Sequence, residues 1–188
     1  MASKDTTRPN VVVVVTDDQG CWALGSAGND EIHTPNLDRL AAMGIRFENF
    51  FCASPVCSPA RASLLTGRIP SQHGVHDWIR KGNLKSDRLE GDRHNDDREI
   101  EYLKGLRAYT EVLAQYGYHC GISGKWHLGD SLQPQKGFTY WHIFPWGGGD
   151  YHNAYIIRQG KLERDPRYLT DVITEGGMAF LETCSEHD

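Results

Sequence analysis

Three segments near the start of the chain predict an α/β fold. Asn10 to Thr16 contains five consecutive valines, a pattern typical of a strand buried on both faces of a parallel sheet. Thr34 to Met43 predicts a helix, with Thr34 as its cap, Pro35 as its first residue and Gly44 as its stop. Ile45 to Phe51 is rich in aromatic residues and predicts a second strand. Together these segments predict a right-handed βαβ unit.

The later elements extend this pattern over one domain, residues 1–188, with no internal repeat and no clear linker. A polar, highly charged stretch from Lys81 to Arg98 predicts a surface excursion. The remaining predicted elements are, in order, a helix over Tyr102 to Tyr116, strands over Tyr118 to Ser123 and Thr139 to Phe144, a hairpin over Tyr155 to Leu162 that turns at Gln159-Gly160, and a helix over Thr170 to Glu182.

Composition excludes several classes of protein. The net charge is −5 and the basic residues are scattered, so nucleic-acid binding is not indicated. No apolar run approaches the length of a membrane span, and residues 1–10 lack the order of a signal peptide. The sequence as written therefore predicts a cytoplasmic protein, or a periplasmic or secreted one if a signal segment has been removed. Five cysteines, an odd number without repeated spacing, argue against a disulfide framework.

The run Cys57-Ser58-Pro59-Ala60-Arg61 is the most informative stretch. Ser58 is a good helix N-cap, Pro59 a good first helical residue, and Gly67 can end the helix in the left-handed conformation. Cys57 is thereby predicted at the positive end of a helix dipole, where anions are favoured. Arg61 follows one turn later on the face that points back toward Cys57. A nucleophile and a cation at an anion site suit chemistry on sulfate or phosphate esters.

Polar clusters follow the predicted strands at the points where they end. Asp17 and Asp18 follow the first strand, Cys57 follows the second, and Lys125 and His127 follow the third. Because ligands bind outside the carboxyl ends of parallel strands, these clusters are expected to converge on one crevice. The adjacent carboxylates suit calcium or magnesium with oxygen ligands, or they simply cap a turn. Lys125 and His127 offer a point charge and a proton exchanger, or they are an ordinary surface lysine and a satisfied loop histidine.

These motifs resemble those of the type I sulfatases. The resemblance rests on Cys-x-Pro-x-Arg followed by Leu-Thr-Gly-Arg, on Gly124 to Gly129, and on His33 to Leu40, where we read His33 and Asp38 as structural. The resemblance implies an alkaline-phosphatase-like α/β sandwich, with a large, mostly parallel central sheet flanked by helices and here incomplete.

The resemblance also implies a mechanism of sulfate ester hydrolysis. A formylglycine-generating maturation enzyme would oxidise Cys57, and one hydroxyl of the hydrated aldehyde would attack sulfur while Ca²⁺ (or Mg²⁺), bound by Asp17, Asp18 and residue 57, polarises the sulfate. Arg61 would stabilise the hydrate and Lys125 would balance charge on the sulfuryl group. The alcohol leaves, and His127 would then assist removal of the second hydroxyl proton, which expels sulfate and restores the aldehyde.

The implied partner is a sulfated small molecule or sugar, with no nucleic acid and no membrane involved. The segment that follows the Cys57 helix contains three candidates for substrate binding: His73, His76 and Arg80. For the two histidines, ordinary loop packing is the alternative.

The chain is shorter than the members of this family, which are usually more than twice its length. Their later half supplies further metal ligands, and neither Asp150 nor Asp171 has the expected context. We therefore expect the N-terminal part of a catalytic domain, with a half-built calcium site, an exposed sheet edge and association with a missing C-terminal portion. Two alternatives to a sulfatase stay open: a phosphonate or phosphate ester hydrolase of the same superfamily, and a non-catalytic fragment or pseudoenzyme.

Overall fold

The computed structural model describes residues 8–85, 87 and 97–185. The chain divides into two compact units, Met1–Phe50 and Phe51–Asp188, and each is described by itself.

The first unit contains helix α1, Pro35–Met43, preceded by a short 3-10 turn, Gly25–Ala27. The predicted helix is confirmed, but Thr34 does not cap it through its side chain. Instead, Thr34 Oγ1 donates to Asp38 Oδ1 at 3.0 Å and accepts from the amide of Gly25 at 2.8 Å. Asp38 Oδ1 also accepts from the amide of Ser26 at 2.7 Å. Asp38 therefore ties the 3-10 turn to the helix, in agreement with its predicted structural role.

The two strands predicted for the βαβ unit are not formed. Residues 10–16 and 45–51 have no strand assignment, and the five valines from Val11 to Val15 are between 52% and 81% exposed. Phe50 and Ile45 are more than four-fifths exposed. The β propensity of these side chains favours an extended backbone, but a strand also needs a hydrogen-bonded neighbour. Neither segment has one in the part of the chain that the structure describes.

The second unit is built on a four-stranded sheet with the order β1-β2-β3-β4. Strands β1 (Gly121–Lys125) and β2 (Tyr140–Phe144) are parallel, and Lys125 pairs with Phe144 at their carboxyl ends. Strands β3 (His152–Arg158) and β4 (Lys161–Tyr168) add antiparallel neighbours. One of the three neighbouring pairs is parallel, so the sheet is mixed rather than mostly parallel.

The sheet elements agree with the sequence in kind and differ in extent. The predicted hairpin is longer than expected, but it turns at Gln159 and Gly160, whose φ angles are +48° and +81°. Two positive φ angles match the primed turns that fit the twist of paired strands. Strand β1 begins three residues later than predicted, and the last helix, α5, covers Leu169–Ser185.

The helices of the second unit are α2 (Cys57–Thr66), α3 (Pro70–His73), α4 (Tyr109–Gln115) and α5. The predicted helix over Tyr102 to Tyr116 is wrong in its first half, because Gly105 has a φ of +78° and breaks the helical path. Helix α4 begins after Ala108, whose amide donates to Glu111 Oε2 at 2.8 Å.

The stretch predicted as a surface excursion begins inside the fold. Leu84 is fully buried, Gly82 O accepts from the amides of Ile100 and Asp130, and Asn83 O accepts from Ser131. The backbone of this segment is thus bonded to two later loops despite its polar composition. The rest of that prediction, residues 86 and 88–96, lies outside the described residues.

Aromatic and branched side chains form the core between the sheet, α5 and the preceding loops. The indole rings of Trp126 and Trp141 meet at 5.0 Å, and their N–H groups donate to the carbonyls of Gly129 and Ser131 at 2.7 and 2.8 Å. The members of this core with no exposed surface include Leu84, Leu103, Leu128, Trp141, Ile143, Ile156 and Ile157. This core fixes β1, and hence the residues that follow it.

Candidate active site

Cys57 is the first residue of helix α2, which runs to Thr66 and ends at Gly67 in the left-handed conformation, with φ +65°. The predicted cap is wrong by two positions, because Val56, with extended backbone angles, is the N-cap residue. Pro59 is therefore the third residue of the helix. Cys57 is half-buried, at the end of the helix where partial positive charge accumulates. The helix thus presents residue 57 as predicted, but without a side-chain cap.

Ser58 connects the start of α2 to two other segments. Its Oγ is fully buried, accepts from the amide of Ile79 at 3.1 Å, and lies 3.2 Å from His127 Nδ1 and 3.3 Å from Nε2. His127 Nε2 in turn lies 2.8 Å from the carbonyl of Ile79. Because a carbonyl only accepts, Nε2 carries the proton of that bond. We call Ser58, Ile79 and His127 the Ser58 cluster.

Arg61 makes the second connection between α2 and the end of β1. Its Nη1 donates to the backbone carbonyl of Lys125 at 2.8 Å. Lys125 is the last residue of β1, and both side chains are half-buried. A charged donor strengthens a hydrogen bond to a carbonyl, so Arg61 fixes α2 against this strand end.

The structure therefore brings together the four predicted catalytic residues. Cys57 and Arg61 lie within one turn of α2, and Lys125 and His127 lie at and just beyond the end of β1. The bonds of Arg61 and Ser58 join residues 64 and 69 positions apart in the chain. His127 has a φ of +54° and no exposed surface, so it lies inside this junction rather than on its surface.

The three candidates for substrate binding differ in their surroundings. His73 is buried: its Nδ1 accepts from the amide of Val75 at 3.1 Å, and its Nε2 therefore donates to Ser63 Oγ at 2.9 Å. Burial, and to a smaller extent the nearby His76, lowers the pKa of His73. These contacts favour the alternative of loop packing for His73. His76 and Arg80 are exposed.

The predicted metal ligands Asp17 and Asp18 lie in the first unit, where both are exposed and Asp18 has a φ of +56°. Carboxylate oxygens are the ligands that Ca²⁺ and Mg²⁺ prefer, so the chemistry of the pair fits a hard cation. Ca²⁺ takes about six to eight oxygen ligands, however, more than two carboxylates supply. Among the described residues there is no group of three or more acidic, histidine or cysteine side chains placed to hold a metal.

Trp78 is a candidate that the sequence analysis did not single out. Its ring meets that of His127 edge-on, with centroids 5.3 Å apart, and its side chain is 44% exposed. A Cβ atom at Gly147 would lie 2.5 Å from Trp78 Nε1 and closer still to the His127 ring. The feature of the sequence that could have identified Trp78 is a large aromatic residue in the polar run just after the Cys57 helix.

No helix in the described part of the chain has the length and apolar character needed to cross a membrane.

Comparison with known proteins gives a consistent result. The sulfatase family model matches residues 9–187. The chain is 32% identical to an N-acetylglucosamine-6-O-sulfatase of Bacteroides thetaiotaomicron, over 95% of this chain and 28% of that protein. It is 39% identical to the N-acetylgalactosamine-6-sulfatase of Homo sapiens, over 86% of this chain and 31% of that protein.

The fold is also that of known structures. A structure solved in complex with its substrate D-glucosamine-2-N,6-O-disulfate superimposes with a TM-score of 0.70 and 32% identity, over 93% of this chain and 31% of that one. The chain thus spans about three tenths of the length of these relatives. With the Cys57 motif, the Gly124 to Gly129 motif and the fold in agreement, the chain belongs to the sulfatase family.

Proposed function

We propose that this protein hydrolyses a sulfate ester on a carbohydrate, with residue 57 as the nucleophile after its conversion to formylglycine. The observation that carries the proposal is the junction between α2 and the end of β1, where Arg61 bonds the carbonyl of Lys125 and Ser58 contacts His127. Two motifs that resemble sulfatase motifs, more than 60 residues apart, are in direct contact there.

Each residue of the junction has a separate role. Residue 57, at the positive end of α2, presents a hydroxyl of its hydrated aldehyde to sulfur, in a position where negative charge is favoured. The guanidinium of Arg61 stabilises that hydrate, and its bond to β1 holds it in place. Lys125 pairs with the oxygens of the sulfate group. As the new O–S bond forms, the attacking hydroxyl gives up its proton, the O–S bond to the alcohol breaks, and the alcohol leaves with a proton. The second hydroxyl of residue 57 then loses its proton, the C–O bond to sulfate breaks, and the aldehyde re-forms.

His127 is the group that we assign to this proton. Its Nε2 is engaged by the carbonyl of Ile79, so proton exchange takes place at Nδ1, which lies on the side of Ser58 and hence of the first turn of α2. The same contacts fix the orientation of the ring. A bound Ca²⁺, held by Asp17 and Asp18 together with further oxygen ligands, would supply positive charge that polarises the sulfate.

The relatives favour one class of substrate. Two of them are sulfatases of 6-sulfated N-acetylhexosamines, and the solved structure contains a 6-O-sulfated glucosamine. We therefore propose a 6-O-sulfated hexosamine as the substrate class to test first. Matched phosphate esters test the alternative of a phosphoryl hydrolase.

The test begins with the chemical state of residue 57. The protein is produced together with a formylglycine-generating enzyme, and mass spectrometry examines the tryptic peptide that runs from Phe47 to Arg61. We expect an aldehyde at residue 57 and turnover of N-acetylglucosamine 6-sulfate that a calcium chelator abolishes. Cys57→Ala, which cannot be converted, is the matched control and should be inactive.

Three outcomes would contradict the proposal. An unmodified thiol in the presence of the maturation enzyme would indicate a non-catalytic protein. Equal turnover by Cys57→Ala would place the chemistry elsewhere. Faster hydrolysis of the phosphate ester than of the matched sulfate ester would favour the phosphoryl hydrolase.

A further inference from the structure

The loop from His76 to Arg80 is fixed to the candidate active site through its backbone. The amide of Ile79 donates to Ser58 Oγ at 3.1 Å, and the carbonyl of Ile79 accepts from His127 Nε2 at 2.8 Å. Ile79 itself is buried. Both polar backbone groups of this one residue are therefore bound by side chains of the junction, so the loop cannot move away from the junction without breaking two hydrogen bonds.

The neighbour of Ile79 on its N-terminal side is the exposed Trp78. One edge of its indole is packed, since the ring meets His127 at 5.3 Å and an added Cβ at Gly147 would collide with Nε1. The remaining surface is open, and the side chain is 44% exposed. Packing along one edge restricts the rotamers of an indole, so the ring presents its open surface in a defined direction.

We propose that Trp78 is a binding residue for the sugar ring that carries the sulfate, and that the open indole surface packs against the apolar C–H face of a pyranose. This inference rests on the proposed function, since it places the ring next to the sulfate held at residue 57, Arg61 and Lys125. The location follows from the contacts above: Trp78 touches His127, and its loop is bonded to Ser58, the residue after Cys57.

The chemistry of the site favours a sugar over a fully polar ligand. A pyranose has a polar rim of hydroxyl groups and a face of C–H bonds, which matches a wide aromatic surface beside polar groups. Arg80, two residues away and also exposed, offers hydrogen-bond donors and a charge on the same loop. Contact with the sugar ring also removes part of the exposed apolar surface of Trp78 from water, which favours binding.

Binding measurements separate the sugar contact from the sulfate contact. Isothermal titration calorimetry, on protein produced without the maturation enzyme so that residue 57 is still cysteine and the ligand is not hydrolysed, compares N-acetylglucosamine 6-sulfate with inorganic sulfate, which occupies the anion site and carries no ring. Trp78→Ala should weaken binding of the sugar sulfate about 10- to 100-fold and leave inorganic sulfate unchanged. Trp78→Phe, which keeps an aromatic face, should retain most of the affinity. The matched control is Tyr116→Ala, which removes another exposed aromatic side chain, 65% exposed at the end of α4, and should bind as the unaltered protein does.

Each result decides between the two proposals. If Trp78→Ala binds the sugar sulfate as tightly as the unaltered protein does, the role of Trp78 is overturned and the sulfatase proposal stands. The same conclusion follows if Trp78→Ala and Trp78→Phe both lose affinity for the sugar sulfate and for inorganic sulfate to the same extent. If the unaltered protein binds neither ligand, the anion site and the proposed function fail, and the inference about Trp78 fails with them. Thermal unfolding of every variant shows whether it is folded. If Trp78→Ala does not fold, the affinities of Trp78→Phe for the two ligands decide the test.

Discussion

Replacement of Ser58 by alanine tests the junction on which the candidate active site depends. The substitution removes one fully buried oxygen and nothing else. It leaves the amide of Ile79 without the acceptor that it now has at 3.1 Å, and it removes the polar neighbour of His127 Nδ1 at 3.2 Å. The space of one hydroxyl group is too small for a water molecule to restore these bonds.

The expected magnitude follows from these two losses. A buried donor or acceptor that loses its partner costs about 1–3 kcal/mol. Two such groups, partly relaxed by movement of the His76 to Arg80 loop, give an expected loss of about 2–4 kcal/mol in the free energy of unfolding. Urea unfolding, monitored by tryptophan fluorescence, measures this value. The slope of the free energy of unfolding against urea concentration should be unchanged, because the surface exposed on unfolding is nearly the same.

A matched serine provides the control. Ser71 is exposed in helix α3, and Ser71→Ala should change the free energy of unfolding by less than about 0.5 kcal/mol. If Ser58→Ala is as stable as Ser71→Ala, the Ser58 cluster does not hold the loop, and α2 is not joined to His127 and Trp78 through Ser58.

Two further predictions concern the same region. Gly147→Ala should lower the free energy of unfolding by about 1–3 kcal/mol, because the new methyl group would meet Trp78 Nε1 at 2.5 Å and overlap the His127 ring. Gly148→Ala, with no atom within 4 Å of the added Cβ, should be nearly neutral, and a similar loss for both variants in urea unfolding would argue against the contact. Burial lowers the pKa of His73, so below its ordinary value of about 6.5 the unfolded chain binds a proton that the folded chain resists. The free energy of unfolding should therefore fall as the pH is lowered from about 7.5 to about 5.5. His73→Gln should be less stable at the higher pH but should lose less of its stability on acidification. If the free energy of unfolding changes equally with pH in the two proteins, His73 does not cause the pH dependence.

The sequence predicted those parts of the fold that depend on local signals. The Cys57 helix ends at Gly67, strand β2 occupies the predicted residues almost completely, and the hairpin turns at Gln159-Gly160. In each of these cases the decisive signal, a glycine or a run of β-branched and aromatic residues, lies within the element itself. The predicted helix before Tyr109 was wrong because a single glycine, Gly105, prevents the helical path.

The predictions failed where the outcome depends on a partner elsewhere in the chain. The valine run has the composition of a central strand, but composition does not supply the neighbour that a strand needs. Ser58 is a residue type that commonly caps helices, yet its hydroxyl contacts the amide of Ile79 and the ring of His127. The motif around Ser58 does not reveal these contacts, because both partners lie elsewhere in the chain. The same limit applies to Trp78, whose contact with His127 joins residues that are 49 positions apart by their numbers in the chain.

The bond between Arg61 and β1 has a consequence for how the site can change. Arg61 recognises the backbone carbonyl of residue 125 and not the lysine side chain. This hydrogen bond therefore requires no particular amino acid at position 125, and under the proposed function a substitution there alters the charge offered to the substrate while the bond to α2 is kept. Under the proposed function, the side chain that meets the sulfate can thus vary while the bond that fixes α2, and with it residue 57, is kept.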